Sequence, residues 1–215
     1  IMPLIGAHVS ISGEISLSFG RAKSFGCTAF QIFTRNPRGW KAKKLEEKDF
    51  EHFIKELDST RLFPIAHMPY LPNIASPNVE GYRKSVEVLS EELVKCSKFK
   101  IPYLVTHLGS HMGTSEEEGI IRVAEACNRA IEVSHGNVML LLENTAGQKN
   151  SVGHSFKQLK QCIDMIEDQR RVGICYDTCH GFAAGYDLRS PSKVQSIMDD
   201  FSNVIGLDRL KMIHA

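Results

Sequence analysis

Six side chains with metal-ligand chemistry stand at, or just beyond, the ends of apolar runs: His67, His107, Glu143, Asp177, His180 and His214. The densest of these stretches is Tyr176-Asp177-Thr178-Cys179-His180-Gly181-Phe182, directly after Val172-Gly173-Ile174-Cys175. It delivers a carboxylate and, three residues later, an imidazole, a pairing that suits hard and borderline divalent cations. One Asp-x-x-His is an ordinary loop pairing; its company of other strand-end donors is what points to metal. Glu143 follows Leu140-Leu141-Leu142, and a buried carboxylate is costly unless it is paired or bound to a cation. Histidine and carboxylate without cysteine favour zinc, manganese or iron over calcium or a thiolate site. One catalytic zinc uses three protein ligands and a water, so six donors imply more than one metal. Glu143 is then the candidate bridging and catalytic carboxylate.

The donors need a frame that brings distant residues to one place. Seven short apolar runs, at 4–9, 28–33, 63–68, 103–108, 138–143, 172–177 and 210–214, read as strands. They lack clean polar alternation, as parallel strands covered on both faces do. Helical faces lie between them: Phe50, Phe53, Ile54 and Leu57; Tyr82, Val86, Leu89, Leu93 and Cys96; Ile120, Ala124, Cys127 and Ile131. Two more follow, Leu159, Cys162, Ile163 and Ile166, then Val194, Ile197, Met198, Phe201 and Ile205. Thr114-x-x-Glu117 reads as a capping box opening the helix that carries Ile120, Ala124, Cys127 and Ile131. Alternating strand and helix predicts a parallel α/β fold. Gly6-Ala7-His8-Val9-Ser10 replaces the glycine-rich phosphate loop that a dinucleotide-binding sheet carries after its first strand, which leaves a barrel as the better reading. Residues 1–215 are expected to form a single (β/α) barrel domain, and in a barrel all strand carboxyl ends open on one face. The irregular stretches 35–44 and 69–79 follow strand ends and fall on that face.

Composition narrows the function. A chain of 215 residues with 42% hydrophobic content fits one core. Its formal net charge of +1 excludes a wholesale polyanion binder, so any nucleic-acid contact is a local patch or is helped by bound cations. Six cysteines show no CxxC, and Cys96, Cys127 and Cys162 fall on apolar helix positions, as in a reducing compartment. No charged-then-apolar leader and no long apolar run is present, so the expectation is a soluble, cytoplasmic protein with no membrane partner.

Six segments carry a specific resemblance: Gly6–Ser10; Phe33-Thr34-Arg35-Asn36-Pro37-Arg38-Gly39-Trp40; His67-Met68-Pro69-Tyr70-Leu71; His107-Leu108-Gly109-Ser110-His111; Leu142-Glu143-Asn144-Thr145-Ala146-Gly147; and Asp177 through Asp187. In this order they resemble endonuclease IV, the zinc-dependent apurinic/apyrimidinic endonucleases of base-excision repair. The resemblance implies a (β/α)8 TIM barrel with up to three zinc ions, manganese being the alternative metal. His67, His107 and Glu143 would hold one zinc, Glu143, Asp177 and His214 a second, and His180 the third. It also implies DNA-binding roles for Asn36, Arg38, Tyr70 and Leu71, with Tyr70 and Leu71 wedged into the duplex and Arg38 at the base stack. The implied reaction nicks duplex DNA 5′ to an abasic site and leaves a 3′-hydroxyl, with the protein acting as a monomer. Trp40 is expected to anchor its loop, Cys179 to pack, and His8 and His111 to support the site or a phosphate.

The family pattern continues past its seventh-strand histidine with an eighth strand-helix unit and further Asp, His and Glu donors. Here His214-Ala215 close the sequence, so seven units and a C-terminally incomplete barrel are expected, with the third ion the weakest held. Two other readings stay open: a single-metal sugar isomerase or epimerase of the same barrel superfamily, and a non-catalytic DNA-binding relative.

Overall fold

The computed structural model describes residues 3–40 and 44–215. Residues 41–43, in the 35–44 loop, lie outside the described residues. Among the described residues there are seven strands, β1 (Gly6–His8), β2 (Ala29–Phe33), β3 (Phe63–His67), β4 (Tyr103–His107), β5 (Met139–Glu143), β6 (Val172–Asp177) and β7 (Leu210–His214). They form one parallel sheet in sequence order, so every crossover joins neighbouring strands. Among the described residues β1 pairs with β2 alone and β7 with β6 alone, leaving the sheet open between them. The helices are α1 (Leu17–Ser24), α2 (Glu47–Ser59), α3 (Val79–Lys98), α4 (Glu116–Ser134), α5 (Phe156–Asp164), α6 (Thr178–Ala183) and α7 (Pro191–Val204). Among the described residues no helix is long and apolar enough to cross a membrane.

The inner strands β2 to β6 bury both faces, whereas β1 is exposed and β7 half-exposed, and the two faces do different work. Phe30, Ile32, Ala66, Leu104, Leu140, Leu142, Ile174 and Tyr176 join the apolar faces of the helices in one large core. Ile65, Val105, Leu141 and Cys175 form a second cluster, packed by Phe63, Tyr103, Met139 and Met212. Because side chains alternate along a strand, this inner face reads Phe63-Ile65-His67 on β3, Tyr103-Val105-His107 on β4 and Met139-Leu141-Glu143 on β5. Each inner row is apolar, then apolar, then a donor at the carboxyl end. The apolar layer closes the barrel floor, and the donors stand on it.

Local sequence chemistry sets the element ends. Asn78, Ser115, Ser155, Asp177 and Ser190 each accept a backbone N–H in the first turn of α3 to α7, a cap worth about 1 kcal/mol. The capping box of α4 is Ser115 with Glu118, one residue beyond the expected Thr114 with Glu117. Thr114 is engaged elsewhere: its hydroxyl donates to the His111 carbonyl and accepts from Arg122 Nη2. Helix α1 was not among the expected helical faces, because Phe19 and Ala22 are its main buried apolar contacts and leave little periodic signal. The stretch after β6 is a helix, not a loop, so the Asp177-x-x-His180 spacing is that of an N-cap and its third helical residue. Cys96, Cys127 and Cys162 are buried in the core as expected. Cys179 is exposed on the short α6 turn and is not a packing residue.

Candidate metal centre

Glu143 is the hub. Its carboxylate is 1% exposed and meets four imidazoles. His67 Nε2 lies 3.0 Å and His107 Nε2 3.3 Å from Oε2, while His180 Nδ1 and His214 Nδ1 each lie 3.3 Å from Oε1. Asp177 stands between the last two, with Oδ1 3.7 Å from His180 Nδ1 and Oδ2 3.7 Å from His214 Nδ1. The six expected donors therefore converge, drawn together by strand register: His107 sits beside Glu143, and Asp177 beside His214.

Among the described residues, three triplets of ligand-type atoms lie within 4.8 Å of one another: His67, His107 and Glu143; Glu143, Cys175 and His214; and Glu143, Asp177 and His180. All three share Glu143. Asp177 is as near to His180 as to His214, and Cys175 also stands near His214. Cys175 belongs to the inner apolar layer, where burial and then the charges of Glu143 and Asp177 push its thiol well above the ordinary range. A protonated thiol is a poor ligand, so the donor set remains histidine and carboxylate.

Hydrogen bonds behind the ring determine which nitrogens face the hub. His67 Nδ1–H donates to the Met68 carbonyl at 2.7 Å, which leaves Nε2 as a lone pair aimed at a carboxylate oxygen. His180 differs: its Nδ1, the nitrogen nearest Glu143, donates to the Asn144 carbonyl at 3.0 Å, so its lone pair is on Nε2. Asn144 is itself buried and clasps β6, accepting from Asp177 N at 2.6 Å and donating to the Asp177 carbonyl at 3.0 Å. Lone pairs facing carboxylate oxygens repel unless a positive charge lies among them. Without a cation, protons play that part: burial pushes the Glu143 pKa up, but hydrogen bonds from His107, His214 and His67, made when those nitrogens are protonated, outweigh it and hold the carboxyl well below the usual carboxylate range. Burial likewise lowers His214, and its bond to Glu143 more than restores it, leaving it above an ordinary histidine. Both shifts reflect imidazoles gathered around one buried carboxylate. Borderline divalent metals fit this donor set.

Two loops flank the cluster. Asn36 and Arg38 are exposed, and Asn36 Oδ1 accepts from Arg38 N at 3.0 Å. Tyr70 is 59% and Leu71 40% exposed, and Tyr70 N donates to the Pro37 carbonyl, so the two loops are stitched together. The Tyr70 ring stands 6.4 Å from the His67 ring and 6.3 Å from the His107 ring. Trp40 anchors its loop through its carbonyl, which accepts from Arg35 Nη1, while its side chain stays exposed. His8 packs at a tilt against Phe33, with centroids 4.4 Å apart, whereas His111 Nδ1 is buried without a hydrogen-bond partner among the described residues.

Reading the sequence for ligands overlooks the amides. Asn144, Gln31 and Asn73 are part of the site's support. Asn73 Oδ1 accepts from Ser110 N at 2.9 Å and Ala75 N at 3.1 Å, tying the loop after β3 to the loop after β4. A Cβ on Gly109 would lie 2.1 Å from that oxygen, and Gly109 has φ +89°, so the junction requires glycine. A polar amide at an inward strand position, as in Ala29-Phe30-Gln31-Ile32-Phe33, is the signal that would have found Gln31.

A parallel barrel with a histidine–carboxylate cluster at its strand carboxyl ends defines a TIM-barrel protein of the divalent-cation class. Residues 19–215 match the family described as xylose isomerase-like TIM barrel. The chain is 50% identical over 213 residues to the probable endonuclease 4 of Nitrosopumilus maritimus, spanning 98% of this chain and 76% of that protein. It is 51% identical over 215 residues to the probable endonuclease 4 of Methanoculleus marisnigri, spanning 99% and 76%. The crystal structure of endonuclease IV from Thermus thermophilus superposes with a TM-score of 0.87 at 32% identity, covering 99% of this chain and 76% of that one. A D-tagatose 3-epimerase-like protein superposes at 0.72 with 17% identity, a likeness of fold alone. The chain belongs to the endonuclease IV family of nucleases.

Proposed function

We propose that the chain is a metal-dependent endonuclease that hydrolyses the phosphodiester 5′ to abasic sites in duplex DNA, leaving a 3′-hydroxyl. The observation that carries this reading is the convergence of four histidines and two carboxylates on one face, beneath two exposed loops that are hydrogen-bonded to each other. His67, His107 and Glu143 would hold one cation, Glu143 with His214 and Asp177 a second, and His180 a third. Zinc suits this donor set, with manganese the alternative. When bound, such cations supply charge against a phosphodiester and acidify water.

The chain's own residues do the rest. Glu143, whose carboxyl is held far below the usual range, stays ionised at neutral pH and can be shared between neighbouring cations. Met68 holds His67 in the tautomer that turns a free nitrogen to Glu143, and Asn144 leaves Nε2 as the free nitrogen of His180. Tyr70 and Leu71 reach into the duplex, and Asn36 and Arg38 bind beside them. Opening a base stack costs a few kcal/mol, least where a base is already missing, so the wedge selects abasic positions. The Tyr70 ring stands over the His67 and His107 rings, which brings a wedged duplex to the cluster. With a formal net charge of +1, the chain relies on these local contacts and on bound cations to hold DNA. The same reading makes it a cytoplasmic monomer working as one barrel domain.

The test is cleavage of a duplex carrying a single abasic analogue, with zinc, after chelation, and with Glu143→Gln. One nick 5′ to the lesion is expected, lost on chelation and restored by zinc. Glu143→Gln removes the shared charge and is expected to lower the rate about 1,000-fold or more while the chain stays folded. Full activity in that variant would end the shared-ligand role. Conversion of a ketose with no nick would move the protein to the epimerases whose fold it shares.

A further inference from the structure

Gln31 lies on the inner face of β2, in register with His8 on β1 and Ile65 on β3. Its carboxamide is within hydrogen-bond distance of two imidazoles. Oε1 is 3.0 Å from His214 Nε2, and Nε2 is 3.1 Å from His8 Nδ1. The partners come from the two ends of the sheet, β7 and β1, so this one amide spans the opening between strands that do not pair.

The amide has one acceptor and one donor end, and that asymmetry has a consequence for His214. With Oε1 toward His214, the imidazole must carry its proton on Nε2. Nδ1 is then the nitrogen left to Glu143 or to a cation, and it is Nδ1 that faces Glu143 Oε1 at 3.3 Å and Asp177 Oδ2 at 3.7 Å. The opposite end is satisfied because His8 Nδ1 accepts from the amide N–H, and the His8 ring is held for this by Phe33, with centroids 4.4 Å apart. The carbonyl of Met68 orients His67 in the same way, but it belongs to the backbone and survives any substitution. Glu143, the other close neighbour of His214, sits on the opposite nitrogen and cannot do this job.

We propose that Gln31 is a positioning residue that holds His214 in its Nε2–H tautomer and so presents Nδ1 as a metal donor. The metal half of this inference rests on the reading of the cluster given above; the tautomer half does not. Removal of such an outer hydrogen bond lowers metal affinity about 10–100-fold in known sites. Gln31→Leu is expected to do so for the cation that His214 holds and to leave the cation at His67 and His107 at its original affinity. Gln31→Glu keeps the length and the acceptor toward His214 and is expected to preserve the His214 tautomer.

The experiment has two arms on the full chain. In the first, long-range 15N–1H correlation of histidine-labelled protein in chelator reads the His214 tautomer in the wild type, Gln31→Glu and Gln31→Leu. Nε2–H in the first two and a mixture in the third is expected; an unchanged tautomer in Gln31→Leu overturns the proposal. In the second, zinc is titrated against a chromophoric chelator, with His214→Ala marking the step that belongs to His214. A selective drop in that step for Gln31→Leu supports the proposal, and equal affinity in wild type and Gln31→Leu overturns it. Should Gln31→Leu fail to fold, loss of the Nε2–H tautomer in Gln31→Glu refutes the acceptor role by itself. If the wild type binds no zinc, the metal reading fails, and the tautomer arm still decides the role of Gln31.

Discussion

Replacing Glu92 should expose a device that holds the loop bearing Asn36 and Arg38. The Arg35 guanidinium is 1% exposed at its side chain and donates from Nε to Glu92 Oε1 at 2.7 Å and from Nη2 to Glu91 Oε2 at 2.5 Å. Glu92 is fully buried and is also met by Lys95 Nζ at 2.7 Å and the Thr34 hydroxyl. Burial alone would lower the Arg35 pKa; Glu92 and Glu91 more than compensate and keep it above the ordinary value. Glu92→Ala leaves Arg35 buried with Glu91, a half-solvated partner, so the cost is that of breaking a buried pair, about 3–5 kcal/mol. At roughly 2–4 °C per kcal/mol for a chain of this size, the melting temperature should fall by about 6–20 °C. Arg35→Met combined with Glu92→Leu removes both charges and should recover most of that loss, because well-packed apolar replacements of a buried pair are often close to neutral. The double variant also releases the Trp40 carbonyl from Arg35, so it should remain stable yet bind an abasic duplex about tenfold more weakly. Thermal melts and fluorescence anisotropy with a labelled duplex measure the two effects. A loss below about 1 kcal/mol in Glu92→Ala, or wild-type DNA affinity in the double variant, would falsify the clamp.

Tyr70→Ala should weaken binding to an abasic duplex by about 1–3 kcal/mol, with little change in melting temperature because the side chain is 59% exposed; unchanged affinity would remove the wedge role. Gly181→Ala places a Cβ 2.3 Å from the buried Tyr176 hydroxyl and should cost about 1–3 kcal/mol while displacing His180, visible as a lower melting temperature with reduced zinc content. The pH dependence of stability should invert with metal. In chelator, the depressed Glu143 pKa stabilises the fold above the unfolded carboxylate value, and that gain is lost as pH falls through the folded one. The raised His214 pKa contributes below 6.5 and is lost as pH rises through its folded value, so the chelated chain should be most stable in mild acid. With zinc, protons compete for the same nitrogens and the stabilisation should grow with pH; melts from pH 5 to 8 with and without zinc that run parallel would contradict this.

The apolar runs and their terminal donors were legible because strand formation and inside–outside alternation are local properties. Phe63-Ile65-His67 and Met139-Leu141-Glu143 declare an inner face and a donor without reference to any other strand. Once the strands are parallel, their carboxyl ends share a face, and six donors separated by up to 147 positions, from His67 to His214, must approach one another. The helix that α6 forms after Asp177, the shift of the α4 cap from Thr114 to Ser115 and the exposure of Cys179 were decided by which neighbour claims a hydroxyl or a turn. Sequence determined which residues can bind metal. Only the tertiary structure decided which nitrogen of each histidine is free to do so, since that depends on the acceptor behind the ring: a backbone carbonyl at Met68 or Asn144, and for His214 an amide on a strand 183 residues away in sequence.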